Sequence, residues 1–296
     1  MNAPREGIVT RFHSNRVDVL HKESHTLFSC VLRGRFKRQN IRPIPGDHVE
    51  FLVFPDGSGR VESILPRKSE LKRPNIANID QVVVITTMRA PAVPLQVLDG
   101  FLVLGEEQGL ELFVVFNKVD LLDGEQLVEL DALEAYYGQY YTFLRTSARS
   151  GQGLEGLRRV LNGRISSFAG MSGVGKSSLL NSLDPSLNLK EGELSENLER
   201  GKHTTTFSNL LPVQSGGLVA DTPGIGLLTV EGLQPGELQK GFPDFAPFAA
   251  RCFFEDCLHD REPDCAVIQA VKEGKILPSR YESYHSMLLR CCEVSR

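Results

Sequence analysis

Gly170-Met171-Ser172-Gly173-Val174-Gly175-Lys176-Ser177 fits the spacing G-x-x-x-x-G-K-[ST]. Glycines at those positions let backbone N–H groups close around phosphate oxygens, and a helix that starts at the loop's end adds its positive dipole end. Lys176 would reach the β- and γ-phosphates. The Ser177 hydroxyl would ligate Mg²⁺, and Ser178 completes the contact set.

Asn117-Lys118-Val119-Asp120 is a second constellation, of the form N-K-x-D. A carboxylate at Asp120 can accept two hydrogen bonds, from N1–H and the exocyclic amine of guanine. Adenine cannot supply that pair, so Asp120 selects GTP over ATP. Asn117 would hold the neighbouring loops, and the Lys118 stem would lie along the base. Ser147-Ala148 follows the next apolar run and would offer backbone N–H groups to the guanine O6.

Downstream of the phosphate loop, Gly201-Lys202-His203-Thr204-Thr205-Thr206 carries threonines able to ligate Mg²⁺ and sense a γ-phosphate. Thr204 and Thr205 are equal candidates. Asp221-Thr222-Pro223-Gly224 is a D-x-x-G element, in which Asp221 would hold a water on Mg²⁺ and the Gly224 amide would contact the γ-phosphate. Ile225 stands where many GTPases carry a water-orienting glutamine, and an isoleucine cannot do that work. His203 is the nearby polar residue that could.

The last constellation is C-x₄-C-x-H-x₅-C, formed by Cys252, Cys257, His259 and Cys265. Three thiolates and one imidazole make a full tetrahedral set for a closed, structural Zn²⁺. The other three of the six cysteines, Cys30, Cys291 and Cys292, have no partners at useful spacing. That usage fits a reducing compartment rather than a disulfide scaffold.

The elements that must position these residues follow from periodicity. Short β-like runs at 6–12, 17–20, 26–32, 48–54 and 60–65, punctuated by Gly, Pro, Asn and Asp, predict a small OB-type β-barrel. Between the third and fourth runs, Arg33, Arg35, Lys37 and Arg38 flank Phe36. Read as an extension of the third strand, this stretch sets a row of cations beside an aromatic, suited to RNA phosphates and a stacked base. Strands are predicted at 80–87, 111–116, 140–146, 164–169, 207–212 and 217–220. Helices are predicted at 94–109, 125–137, 153–161, 178–183, 266–272 and 278–292, the last with Tyr281, Tyr284, His285 and Leu288 on one face.

The order of the motifs is unusual. The base-selecting elements precede the phosphate loop, whereas an ordinary G domain begins with it. The fold class expected is therefore multidomain α/β: an N-terminal OB-type barrel (1–70), a circularly permuted P-loop G domain (71–230) and a C-terminal zinc-binding helical domain (231–296). Permutation ties the zinc domain directly to the D-x-x-G element.

A chain of 296 residues, 41% hydrophobic and 24% charged, is ordinary globular composition. No apolar run is long enough for a membrane span, and residues 1–6 lack the apolar core of a secretory signal, so a cytoplasmic protein is expected. The net charge of −4 hides an asymmetry. Residues 1–73 carry 14 Lys/Arg against 8 Asp/Glu, and the rest carries 19 against 29. A basic end on an acidic body points to a polyanionic partner there.

Together these features resemble the ribosome small-subunit-dependent, circularly permuted GTPase family (the RsgA/YjeQ type). The residues that carry the resemblance are Pro45-Gly46-Asp47, the stretches 117–120, 170–177, 201–206 and 221–224, and the Cys252/Cys257/His259/Cys265 set. It covers nearly the whole chain. The resemblance implies slow hydrolysis of GTP to GDP, stimulated by the small (30S) subunit, and GTP-dependent binding to that subunit and its rRNA. It also implies a late checkpoint role in maturing the subunit and a catalytic role for His203. The expected state is a monomer with one structural Zn²⁺ and with Mg²⁺ accompanying GTP. Met171 departs from the family, where a polar residue is usual; it turns its backbone to phosphate, so no loss is expected.

Overall fold

A computed structural model describes residues 3–13, 16–39, 41–72, 75–190, 209–220 and 233–294. The chain forms two compact units. One comprises Met1–Gln81, Glu155–Phe168 and Ser177–Leu227; the other comprises Val82–Leu154, Ala169–Lys176 and Leu228–Arg296.

The first unit opens with β1 (Arg5–His13), β2 (Arg16–His21), β3 (Leu27–Leu32), β4 (His48–Val53) and β5 (Gly59–Ile64). These close into a barrel in the order β1-β2-β3-β5-β4. All pairs are antiparallel except β3 with β5. Alternation explains the closure: Val9, Val17, Val19, Cys30, Val49, Phe51 and Val61 point inward and are buried. Burial pushes the Cys30 thiol up to about 12, so it behaves as a small apolar side chain.

The stretch after β3 corrects the sequence reading. It is a short helix, α1 (Gly34–Arg38), not a strand extension. Phe36 is only 4% exposed and belongs to the barrel core, so it is no platform for a base. Burying one large aromatic outweighs keeping three cations in register on an unpaired strand. Arg35 lies over the Phe36 ring at 5.3 Å, and Arg33 pairs with Glu62 at 2.7 Å.

A hairpin not foreseen from sequence, β6 (Glu70–Lys72) and β7 (Asn75–Ala77), follows the barrel. The turn Pro45-Gly46-Asp47 joins it to β1. Gly46 has φ +90°, and a Cβ there would sit 1.9 Å from the Ala77 carbonyl oxygen, so glycine is required. Ala77 N–H donates to Pro45 O at 2.8 Å, and Gly46 N–H donates to Val9 O at 2.8 Å. Asp47, fully buried, accepts from Arg67 Nε at 2.7 Å, Arg67 Nη2 at 2.9 Å and Ile44 N–H at 2.8 Å.

The strand β8 (Gln81–Thr86) is buried at every residue, as a continuous Val/Ile run requires. It is followed by α2 (Leu95–Glu107), β9 (Glu111–Phe116), α3 (Gly124–Tyr137) and β10 (Thr142–Arg145), with strand order β10-β9-β8. A capping box between Asp123 and Gln126 starts α3. Then come α4 (Leu154–Leu161), β11 (Ile165–Ala169) and α5 (Lys176–Leu183). In the first unit β11 runs parallel to β13 (Leu218–Ala220), which pairs antiparallel with β12 (Leu210–Pro212). The base-selecting strands thus precede the phosphate loop in the chain.

The C-terminal part is helical: α6 (Pro235–Lys240), α7 (Ala246–Ala249), α8 (Ala266–Lys272) and α9 (Pro278–Val294). The helix α9 packs on α2 and α6. A buried ionic cluster joins these elements. Arg280, 1% exposed, donates to Asp99 Oδ1 at 2.7 Å and to Asp244 Oδ1 at 3.2 Å. Tyr137 OH donates to Asp99 at 2.7 Å and Tyr136 OH to Asp244 at 2.6 Å, while the guanidinium lies 4.2 Å from the Phe242 ring centre. Burial pushes the Asp99 carboxyl up, and Arg280 pulls it back.

Asp47→Asn keeps the shape of the turn and removes its charge. It should cost about 2–3 kcal/mol, read as a lower urea midpoint, because the hydrogen bonds lost are to a charged acceptor.

Candidate functional site

The loop 170–177 is built by close approach. Gly170, Gly173 and Gly175 have φ of 141°, 82° and 95°. A Cβ on Gly170 would lie 2.2 Å from Ile85 O, and one on Gly175 would lie 2.5 Å from Asn117 Nδ2. Neither space nor conformation admits another residue. Val174 is fully buried and pins the loop, while Met171 points outward at 44% exposure. Ser172 is exposed. Ser177 is buried in the first turn of α5, and Ser178 accepts from Ser182 Oγ through its carbonyl.

Lys176 curls over its own loop. Its Nζ donates to Gly170 O and Met171 O, both at 2.8 Å. Only 4% of the residue is exposed, and burial pushes its pKa from 10.5 down to about 8.

Asn117 is the junction of the site. Its Nδ2 donates to Val174 O at 2.8 Å, its Oδ1 accepts from Thr146 Oγ1 at 3.1 Å, and its amide donates to Thr86 O at 2.9 Å. One residue, through its side chain and its amide, therefore ties the phosphate loop to the ends of three strands. Lys118, in a left-handed conformation with φ 63°, donates from Nζ to Gly173 O at 2.7 Å and also to Ala90 O. Val119 is buried, its amide on Thr146 O at 3.2 Å. Asp120 is exposed and accepts from Ser147 Oγ at 2.6 Å, which fixes the carboxylate's orientation.

The Ser147 amide donates to Gln152 O at 3.0 Å. The hydroxyl of Ser147, not its N–H, is what it brings to the site; Ala148 follows it in the same turn. Two contributors escaped the sequence reading. Thr146 orients Asn117, and the segment 87–93 supports the loop, with Pro91 facing Gly173 and Thr87 Oγ1 donating to Pro91 O at 3.0 Å. The signal for that segment was its place, a proline-rich turn at the carboxyl end of a buried strand. His203, Thr204, Thr205, Asp221, Gly224 and Ile225 lie outside the described residues.

Cys252, Cys257, His259 and Cys265 converge, with their donor atoms within 4.8 Å of one another. His259 Nδ1 lies 3.6 Å from Cys252 Sγ and 3.4 Å from Cys265 Sγ, and those two sulfurs are 3.8 Å apart. A tetrahedral ion bonded at about 2.3 Å to sulfur and about 2.0 Å to nitrogen demands separations of about 3.5 and 3.8 Å. The cluster fits a metal ion. Its loop is held from outside: Tyr281 OH donates to His259 O at 2.8 Å, Tyr284 OH to Leu258 O at 2.6 Å and Gln239 Nε2 to Cys257 O at 2.9 Å. The Glu262 carboxylate accepts the N–H groups of Leu258, Asp260 and Arg261, which holds it below the usual carboxylate range.

Of the basic residues singled out near α1, Arg33, Arg35 and Arg38 are exposed, and the Lys37 side chain lies outside the described residues. Arg33 and Arg60 both pair with Glu62 at 2.7 Å, and Arg35 donates to the Glu62 carbonyl. An open depression of about 830 Å³ beside them is lined by Arg35, Arg42, Arg67 and Ile44.

Residues 64–231 match the family described as RsgA GTPase, and residues 6–61 match the RsgA N-terminal domain. The chain belongs to the RsgA GTPase family. It is accordingly a GTP hydrolase, with a barrel domain ahead of a circularly permuted G domain. A relative from Thermotoga petrophila, named Small ribosomal subunit biogenesis GTPase RsgA, is 46% identical over 287 residues, 97% of each chain. A relative of the same name from Moorella thermoacetica is 42% identical, covering 88% of this chain and 89% of its own. Among solved structures, YjeQ from Thermotoga maritima superposes with TM-score 0.85 at 42% identity, covering 98% of this chain and 99% of that one. YloQ, described as a circularly permuted GTPase, gives TM-score 0.82 at 32% identity, over 99% and 96%. No helix among the described residues is long and apolar enough to cross a membrane.

Two outcomes are expected. Because the folded value of Lys176 lies below 10.5, its charged form costs stability below about pH 8, and that cost fades as pH rises towards 10.5. A bound polyphosphate restores the charge. Calorimetry in buffers of different ionisation heat should show proton uptake on GTP binding near pH 8, with affinity falling at higher pH, and Lys176→Met should abolish the uptake. Secondly, Cys257→Ala should release the metal, measured by elemental analysis, and strip hydrogen-exchange protection from the amides of Leu258, Asp260 and Arg261.

Proposed function

We propose that this chain is a GTPase of late small-subunit maturation, whose slow intrinsic hydrolysis is stimulated by the small (30S) ribosomal subunit, and which binds that subunit and its rRNA in its GTP form. The observation that carries this reading is the Asn117 junction. Asn117 bridges the phosphate loop at Val174 to Thr146, and the next residue, Ser147, holds the carboxylate of Asp120, the group assigned to guanine. The relatives' name, Small ribosomal subunit biogenesis GTPase, supplies the partner.

The roles follow from chemistry. Asp120 pairs with guanine, Lys118 and Val119 line the base, and Ser147-Ala148 closes its far edge. Residues 170–178 wrap the phosphates, with Lys176 moving its ammonium from loop carbonyls to phosphate oxygens. Ser177, Thr204 or Thr205, and Asp221 through a water, would hold Mg²⁺, which neutralises charge developing on the phosphates. Gly224 would contact the γ-phosphate. Ile225 cannot orient water, so His203 is the residue assigned to the attacking water, brought into place when the subunit docks. The Cys252/Cys257/His259/Cys265 set suits Zn²⁺ in a closed structural site.

The working division is barrel 1–70, G domain 71–230 and zinc domain 231–296. Arg33, Arg35, Lys37 and Arg38 are the rRNA candidates, and the depression lined by Arg35, Arg42 and Arg67 adds a basic face beside them. The protein acts as a cytoplasmic monomer.

Purified chain should hydrolyse GTP slowly alone and at least tenfold faster with small subunits; no stimulation rejects the reading. His203→Ala should lower the stimulated rate about a hundredfold or more, the usual scale of general-base loss, while GTP affinity stays near wild type.

A further inference from the structure

A second cavity, of about 340 Å³, is lined only by residues of the first unit. Its floor is apolar: Ile8 of β1, Leu20 of β2, Ile165 of β11 and Leu218 of β13. Leu20, Ile165 and Leu218 are buried. Its rim carries the cations Lys22, Lys68 and Arg164, and the imidazoles of His25 and His48 lie among them. The acidic groups are fewer. Asp80 accepts the Ile165 N–H at 2.8 Å, and Glu6 pairs with Lys22 at 2.7 Å.

His48, half-buried, lines the same cavity. Burial pushes its pKa below the ordinary value, and so do the ammonium groups of Lys22 and Lys68, ahead of the opposing pull of Asp80 and Glu6. Among the described residues Lys68 forms no ion pair, and its side chain is exposed. An apolar floor under a positive rim suits a ligand with a flat, weakly polar body and an anionic tail. A cavity of about 340 Å³ is much larger than one phosphate needs and falls at the small end of ordinary ligand pockets, about 300–1,000 Å³.

We propose that this cavity binds a nucleoside phosphate, with the base against Ile8, Leu20, Ile165 and Leu218 and the phosphate on Lys68, Arg164 and Lys22. The nucleotide arrives either free or as one unit of an RNA strand. The RNA route rests on the ribosomal reading above; the free-nucleotide route does not. The base gains apolar contact on the floor, as bases do between aliphatic side chains, and the phosphate gains charge-assisted hydrogen bonds at the rim. The site is distinct from the guanine site, which is built by residues of the other unit.

The test uses the full chain with its metal and with saturating GDP, which occupies the guanine site. Calorimetry then follows adenosine and uridine 5′-monophosphates, a short single-stranded oligoribonucleotide and inorganic phosphate. Lys68→Glu and Arg164→Glu reverse exposed charges at the rim, and Arg159→Glu, on an exposed face of α4 outside the cavity, is the charge-matched control. A saturable phase with a monophosphate, weakened at least tenfold by both rim variants and unchanged by the control, establishes the free ligand. The same dependence with the oligoribonucleotide alone establishes the RNA unit. No such phase, or one that Arg159→Glu weakens equally, overturns the proposal. Inorganic phosphate binding as tightly as the monophosphates overturns the part given to the floor. Subunit-stimulated GTP hydrolysis is a separate readout, so failure here is distinguishable from failure of the ribosomal reading.

Discussion

Among the described residues, one carboxamide joins the phosphate loop to the end of a neighbouring strand. Asn117 donates to the phosphate loop at Val174 and accepts from Thr146, with its backbone held by Thr86. The chain reaches these three places in an order that no local rule links: one strand end, another strand end, then the loop. A neutral side chain with one donor and one acceptor face can bridge a carbonyl and a hydroxyl at once. Aspartate there would set a carboxylate against the Val174 carbonyl; leucine would leave both partners unpaired and buried. The same residue explains Gly175, because a Cβ would sit 2.5 Å from the Asn117 nitrogen. Two motifs that look independent in sequence are therefore mutually constrained in space.

The metal loop follows a different logic. Its four candidate ligands come from a 14-residue stretch with little core of its own, so a neighbour must help to hold it. The neighbour is α9. Tyr281, Tyr284 and His285 project from one face onto the carbonyls of His259 and Leu258 and the carboxylate of Asp260. Leu288, on the same face, is buried. That face was legible as a stripe at helical spacing, although its task was not, since a tyrosine stripe reads equally well as plain core.

What sequence yields and withholds can be traced to range. The barrel strands, the all-buried β8 and the capped α3 depend on alternation, apolar runs and an Asp-x-x-Gln pair, all local, and their predicted limits differ from the observed ones by a residue or two. The phosphate loop, N-K-x-D and the Cys/His set are legible because their chemistry fixes residue type as well as spacing. Phe36 misled because its burial depends on a barrel closing around it, and the cation row made the exposed reading attractive. Thr146 and the turn at Pro91 carry no spacing signal; they matter only because strand ends meet. Arg280, Asp99 and Asp244 were invisible for the same reason. Charged residues normally face water, and nothing nearby in sequence marks these as inward.

That buried cluster has a consequence for how the chain is made. Arg280 stands 181 residues after Asp99, the carboxylate it meets at 2.7 Å. At ordinary synthesis speeds about 10–40 s separate the two residues' emergence. Throughout that interval Asp99 exists without the cation that makes its burial tolerable, so the packing of α2 against its final neighbours must wait. A chain truncated before α9 would carry every guanine- and phosphate-binding motif and still lack the ion that closes this core. The fold thus withholds this part of its interior until α9 has been translated.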